Sequence, residues 1–166
     1  TLFCHNEEII EVQNPLSAEF MYMRPSLIPN LLSIVQRMLN YGERECRIFE
    51  VGNVYNSKGE IKHIAAVSAF PDQTHNLWND KNEKNIFDIK CDFLSLLKSL
   101  SVDIDAISVV LNDIPSYMHI ARTGVLVVKG IKLGFFGEIN PKIINKMGIK
   151  SRVYVFYFDF DKFFDN

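Results

Sequence analysis

Apolar positions along this chain recur in two periods. Between residues 27 and 38, Leu27, Leu31, Ile34, Val35 and Met38 fall three or four apart and predict a helix. Ser26 stands where an N-cap belongs, Pro29 falls in the first turn where its missing N–H costs nothing, and Gly42 supplies the stop. The clearest helix covers residues 88–100, with Ile89, Phe93, Leu96, Leu97 and Leu100 on one stripe. A third, short one is capped by Asn140, opened by Pro141 and ended by Gly148. Elsewhere the period is two. Residues 47–55 and 61–70 flank the turn Asn56-Ser57-Lys58-Gly59 and predict a hairpin. Residues 107–111 are a further strand, and 123–129 pair with 131–137 around Gly130. The stretch 153–160 is apolar at successive positions, so it is expected to be a central strand buried on both faces. Nearer the start, Ile9, Ile10 and Val12 form a short strand and Asn14-Pro15 a turn, while Pro25 holds Met21-Tyr22-Met23-Arg24 extended. Residues 71–85 are polar, with one Trp, and read as a loop. Helices thus interrupt runs of strands joined by hairpins, which predicts an α+β domain on a mainly antiparallel sheet.

Composition narrows the picture. The chain has 166 residues, 48% apolar and 23% charged, which is globular and long enough to bury roughly two-thirds of its unfolded surface. Eighteen Lys and Arg against 20 Asp and Glu argue against a free-standing basic nucleic-acid binder, while leaving room for a subunit that meets RNA over a small patch. Cys4, Cys46 and Cys91 are odd in number and far apart, so no disulfide framework is implied and a reducing, cytoplasmic location is expected. No apolar run approaches the ~20 residues that cross a bilayer, and no signal peptide opens the chain. The start lacks Met and the end follows a run of aromatics, so residues 1–166 are expected to be a single domain excised from a longer chain.

The chemical motifs are mostly negative. His5, His63, His75, His119 and the cysteines show no CxxC or HxxxH spacing, so no metal site is expected. There is no GxSxG, GxGxxG or GxxxxGK[ST]. What stands out is charge inside apolar strands. Alternation puts Arg47, Phe49 and Val51 on one sheet face and Ile48, Glu50 and Gly52 on the other. A charge on a sheet face must be paired, exposed or functional, and Glu138 after Gly134-Phe135-Phe136-Gly137 poses the same choice.

Several segments, in order, resemble one family. Asn14-Pro15-Leu16-Ser17, then Met23-Arg24-Pro25-Ser26-Leu27-Ile28-Pro29-Asn30-Leu31-Leu32, then Arg47-Ile48-Phe49-Glu50-Val51-Gly52-Asn53-Val54-Tyr55 resemble the catalytic-like core of the bacterial phenylalanyl-tRNA synthetase β subunit. Phe87-Asp88-Ile89-Lys90 is similar to that family's DxKG helix start, with Cys91 in place of Gly. Tyr117-Met118-His119-Ile120-Ala121-Arg122-Thr123 is similar to its LHPGRS stretch, with Ile120 and Ala121 replacing Pro and Gly. Gly134 to Pro141 is similar to its GxxGExHP stretch, and 153–159 to its closing strand, with Tyr157 where Glu is usual.

The resemblance implies a class II aminoacyl-tRNA synthetase-like antiparallel sheet flanked by helices. It implies a non-catalytic copy of that fold, scaffolding a catalytic α subunit within an (αβ)2 heterotetramer that charges tRNA(Phe) with phenylalanine. ATP and Mg2+ are then expected for the whole enzyme and none for this chain, because phosphoryl chemistry needs arginines and carboxylate-held Mg2+. Arg47 lies at a position resembling the second class II motif, but the closing strand runs into Phe158-Asp159-Phe160-Asp161-Lys162, with no Gly-rich, Arg-bearing third motif. No catalytic residue is therefore assigned. Arg24, Pro25, Pro29, Arg47, Glu50 and Gly52 are candidates for a subunit interface or a structural role, and His119 and Arg122 for contact with tRNA or a partner. The alternative is a free-standing pseudo-synthetase acting as an RNA- or protein-binding module, since catalytic folds are reused.

Overall fold

A computed structural model of the chain describes residues 3, 9–15, 17, 21–57, 59–71 and 85–164. Cys4, His5, His75 and nearly all of the loop expected at 71–85 lie outside the described residues. The elements, in order, are α1 (Ile28–Asn40), β1 (Cys46–Asn56), β2 (Gly59–Pro71), α2 (Ile86–Ser99), β3 (Ile107–Val110), β4 (Met118–Val128), β5 (Ile131–Ile139), α3 (Pro141–Lys146), β6 (Ser151–Asp159) and α4 (Phe160–Phe164). Among the described residues no helix is long and apolar enough to cross a membrane.

One six-stranded sheet runs β1-β2-β6-β5-β4-β3, antiparallel throughout. The last strand enters the middle. β6 joins the β1–β2 hairpin to the β3–β4–β5 meander, and it is buried from Val153 to Asp159. Val153, Val155 and Tyr157 point to one face, beneath α1 and α3, with Leu27, Leu31, Leu32, Val35 and Ile144. Tyr154, Phe156 and Phe158 point to the other, beneath α2, with Ile89, Phe93 and Leu97. Phe93 stacks on Phe156 with ring centroids 4.8 Å apart. The sheet thus separates two apolar layers.

Local chemistry explains most element ends. Ser26 Oγ accepts the Ile28 amide at 3.3 Å, although Leu27 already has helical dihedrals and holds the cap position itself. Leu32, off the expected stripe, is fully buried, whereas Ile34 is only half-buried. α2 begins two residues before the expected start, because Asn85 accepts the Phe87 amide at 2.8 Å and Asp88 accepts the Asn85 amide at 2.6 Å. Asn140 caps α3 through the Lys142 amide at 3.0 Å. Lys129 and Gly130, at φ 48° and 83°, form the two-residue turn between β4 and β5. Strict alternation fails in that hairpin. Leu126 faces Gly134 but Val127 faces Lys132, so Leu133 is an inserted residue that turns toward the α2 layer. The strand expected at residues 9–12 is a single bridge, Glu11 to Tyr22. The short helix α4, which follows Asp159, was not expected.

Phe93→Ala should remove about 3–5 kcal/mol of stability, since the side chain has no exposed surface and its partners sit in a rigid sheet. Urea unfolding of the variant measures it.

Candidate functional site

All the candidate residues but Arg47 sort into two clusters. At the β1 edge, Arg24 Nη1 donates to Glu50 Oε1 at 2.5 Å and Arg24 Nε to the Asn53 carbonyl at 2.8 Å, while the Arg24 carbonyl accepts the Tyr55 amide at 3.0 Å. Pro25 holds this segment extended before α1, and Pro29 lies in the first turn of that helix. Gly52 is what makes the crossing fit, since a Cβ there would come 2.5 Å from Arg24 Nη2. Asn53 Nδ2 donates to Glu60 Oε1 and extends the polar network onto β2. Glu50 and Arg24 remain partly exposed, at 28% and 35% of their side chains.

Arg47 belongs elsewhere. As alternation requires, it sits on the α2 face, where Nη2 meets Asp92 Oδ2 of α2 at 2.5 Å. Because α2 packs mainly on β5 and β6, the described residues leave the α2 face of β1 largely uncovered beyond the Arg47–Asp92 pair. Phe49 is 72% exposed and Val51 54%. With Ile64, Ala66, Leu96 and Phe156 they line an apolar groove of about 300 Å3. The outer backbone edge of β1 is open as well over residues 47–51, among the described residues. Arg24 engages Asn53 and Tyr55, so odd-numbered residues face away from β2. Among the described residues, no backbone group of another segment meets the N–H and C=O of Arg47, Phe49 or Val51.

The second cluster lies four strands away, roughly 19 Å at the usual strand spacing. Met118 pairs with Ile139 and Thr123 with Gly137, so His119–Arg122 bulge out opposite Glu138. Arg122 Nη1 donates to Glu138 Oε2 at 2.6 Å, and the carboxylate is 2% exposed. A side chain on Gly137 would collide with the Arg122 carbonyl. The bulge ties itself down: Thr123 Oγ1 donates to the His119 carbonyl at 2.8 Å and the Ala121 amide to His119 Nδ1 at 3.2 Å. Ile120 and Ala121, which depart from the family stretch, occupy its exposed tip.

A third cluster was missed at the level of sequence. His63 faces Asp159 across β2 and β6. Its Nδ1 shares a hydrogen bond with Tyr157 Oη at 2.5 Å, while the buried Nε2 has no hydrogen-bond partner among the described residues and lies 3.7 Å from Asp159 Oδ2. Lys162 Nζ meets the same oxygen at 2.6 Å, and the Lys162 amide donates to Asp159 Oδ1, which caps α4. Burial pushes the Tyr157 hydroxyl up to about 12, against hydrogen bonds from Ser26 and the Leu27 backbone. Burial also acts to raise Asp159, but His63 and Lys162 outweigh it and bring the carboxyl down to about 2. No local motif announces this group, which exists only through strand register. Among the described residues no three His, Cys, Asp or Glu side chains converge to hold a metal.

The two glutamates should respond differently to loss of charge balance. Arg122→Ala strands a buried carboxylate and is expected to cost about 3–5 kcal/mol, most of it recovered in Arg122→Ala/Glu138→Gln. Glu50→Ala leaves a guanidinium that water reaches and should cost about 1 kcal/mol. Chemical denaturation of the three variants checks both. Asp159 is lowered from 3.8 in the unfolded chain to about 2, so its contribution is full above pH ~4 and lost as pH falls through 2. Asp159→Asn should therefore lower stability by about 2 kcal/mol at neutral pH and flatten the acid limb of a stability–pH curve.

The comparisons with known proteins bear on the family and the fold. Residues 3–160 match the family described as the phenylalanyl tRNA synthetase beta chain CLM domain. The chain is 33% identical over 156 residues to the phenylalanine–tRNA ligase beta subunit of Ehrlichia canis (strain Jake), covering 92% of this chain and 20% of that one. It is 31% identical over 160 residues to the beta subunit of Prochlorococcus marinus (strain MIT 9312), covering 93% and 19%. It thus spans about a fifth of the length of the curated relatives it matches. Among solved structures it superposes on PylSc, a pyrrolysyl tRNA synthetase of Desulfitobacterium hafniense, with a TM-score of 0.68 at 15% identity over 92% of this chain and 50% of that one. At that identity the likeness concerns the fold, and the antiparallel sheet between helices is the class II synthetase architecture. With the ordered motifs, the sheet and the match over nearly its whole length all agreeing, this chain belongs to the CLM-domain family of the phenylalanyl-tRNA synthetase β chain.

Proposed function

We propose that this chain is a non-catalytic core of a phenylalanine–tRNA ligase β subunit, holding the catalytic α subunit in the (αβ)2 enzyme that charges tRNA(Phe). The observation that carries the reading is the bare edge of β1. Three consecutive outward positions, Arg47, Phe49 and Val51, combine backbone donors and acceptors that meet no backbone partner among the described residues with the exposed apolar side chains of Phe49 and Val51 beside an apolar groove. An open edge of this kind invites pairing with another chain and is normally covered. The charges support a scaffold over a reaction centre. Arg24, Arg47 and Arg122 are each held by a carboxylate, Glu50, Asp92 and Glu138, so a triphosphate would have to displace an anion at every one. ATP, Mg2+ and phenylalanine accordingly belong to the α subunit in this reading.

The test uses the complete β subunit carrying Phe49→Lys and Val51→Lys, co-purified with α. Lysines on an edge strand oppose pairing, so the amount of α that co-elutes should fall about tenfold or more. The unfolding midpoint should stay put, because exposed substitutions usually move stability by less than about 0.5 kcal/mol. Undiminished co-elution with α would remove the edge from the interface.

A further inference from the structure

The chain is acidic overall, yet one of its surfaces is not. From residue 139 to residue 158 there are four cations, Lys142, Lys146, Lys150 and Arg152, and no carboxylate, while the other 14 cations are outnumbered by 20 acidic groups. All four are exposed, on α3, the loop after it and the start of β6. Among the described residues no carboxylate pairs with Lys142, Lys146 or Lys150. Lys150 and Arg152 line a recess of about 250 Å3 with Arg122, Asn145 and Ser151, whose one carboxylate, Glu138, is buried and already neutralised by Arg122.

We infer that this recess and its lysine rim form a docking site for the phosphate backbone of RNA. Phosphate groups need positive charge and hydrogen-bond donors, which the rim supplies from Lys150, Arg152, Asn145 and Ser151. A protein partner would need apolar anchors at the centre of its interface. Here Ile143, Ile144 and Ile149 are all buried in the core beneath the patch, which leaves Pro141 and the half-buried Met147 among its lysines in place of a large apolar anchor. Between residues 141 and 152 the chain also carries no aromatic ring to stack a base. The site therefore positions a backbone without reading its sequence. It goes beyond the scaffolding role and rests on it only for the source of the RNA, a tRNA held by the same enzyme. It also lies on α3 and β6, away from the β1 edge, so the two surfaces can be occupied together.

The experiment measures binding of a labelled tRNA transcript to this chain across a salt series, for the wild type, Lys142→Glu/Lys146→Glu/Lys150→Glu, and the milder triple Lys→Gln. Wild-type affinity should fall with salt at a log–log slope of about −3, and the Glu triple should bind about tenfold or more weaker near 50 mM salt, with a slope reduced by about 2 to 3. The Gln triple should fall between them, which separates charge from misfolding. Phe49→Lys/Val51→Lys should leave tRNA binding unchanged, so failure of the patch and failure of the α-subunit edge are told apart. Unaltered binding and slope in both triples overturn the inference, as does wild-type chain that retains no tRNA at low salt. Displacement of tRNA by polyglutamate at equal charge concentration would overturn it too, assigning the patch to an acidic protein segment.

Discussion

The two-faced burial of β6 is the constraint on which the structure rests. Val153, Val155 and Tyr157 require cover on one side and Tyr154, Phe156 and Phe158 on the other, and no single layer of helices can supply both. α1 and α3 take one face and α2 the other, centred on the strands next to β6. Everything peripheral follows from how far that cover reaches. It stops short of β1 on the α2 side, which leaves Phe49 and Val51 in solvent and a groove beside them. The same arrangement that makes the centre stable makes one edge incomplete.

Charge fastens the margins of this sheet by a device used twice. In each case a glycine next to or near a glutamate lets an arginine-bearing segment lie flat across a strand: Gly52 with Glu50 and Arg24, Gly137 with Glu138 and Arg122. The glycine is required because the crossing backbone or guanidinium occupies the space of a Cβ. The glutamate supplies the charge-assisted hydrogen bond that orients the arginine. The two differ in depth, since Glu138 is sealed in and Glu50 is partly wet. Both guanidinium groups are thereby engaged by a carboxylate of the fold itself. The lysines on and after α3 carry no such ion pair among the described residues.

Much of this arrangement was legible from residue order. The apolar run at 153–158, the stripe from Ile89 to Leu97 and the Asn56–Gly59 turn named their elements, because burial pattern and turn chemistry act within a few residues. Alternation also placed Arg47 and Glu50 on opposite faces before any partner was known. It could not name the partners. Asp92 comes from a helix 45 residues on and Arg24 from a segment 26 residues back. The inserted Leu133 and the bulge at His119–Arg122 broke the period that the reading relied on. The His63–Asp159 contact depends on a register between strands almost a hundred residues apart, and nothing local to either residue encodes it.

The amino-acid order alone determined the three main helices and most of the strands, that the last strand is central, and which family the ordered motifs match. These are consequences of side-chain periodicity and of backbone chemistry at Pro, Gly and Asn, all short in range. Tertiary structure alone decided which charges neutralise each other and, among the described residues, which strand edge is left uncovered. Those outcomes depend on which surfaces are brought within a few ångströms of one another. Burial and Coulomb energies change steeply over that distance, and separation along the chain does not report it.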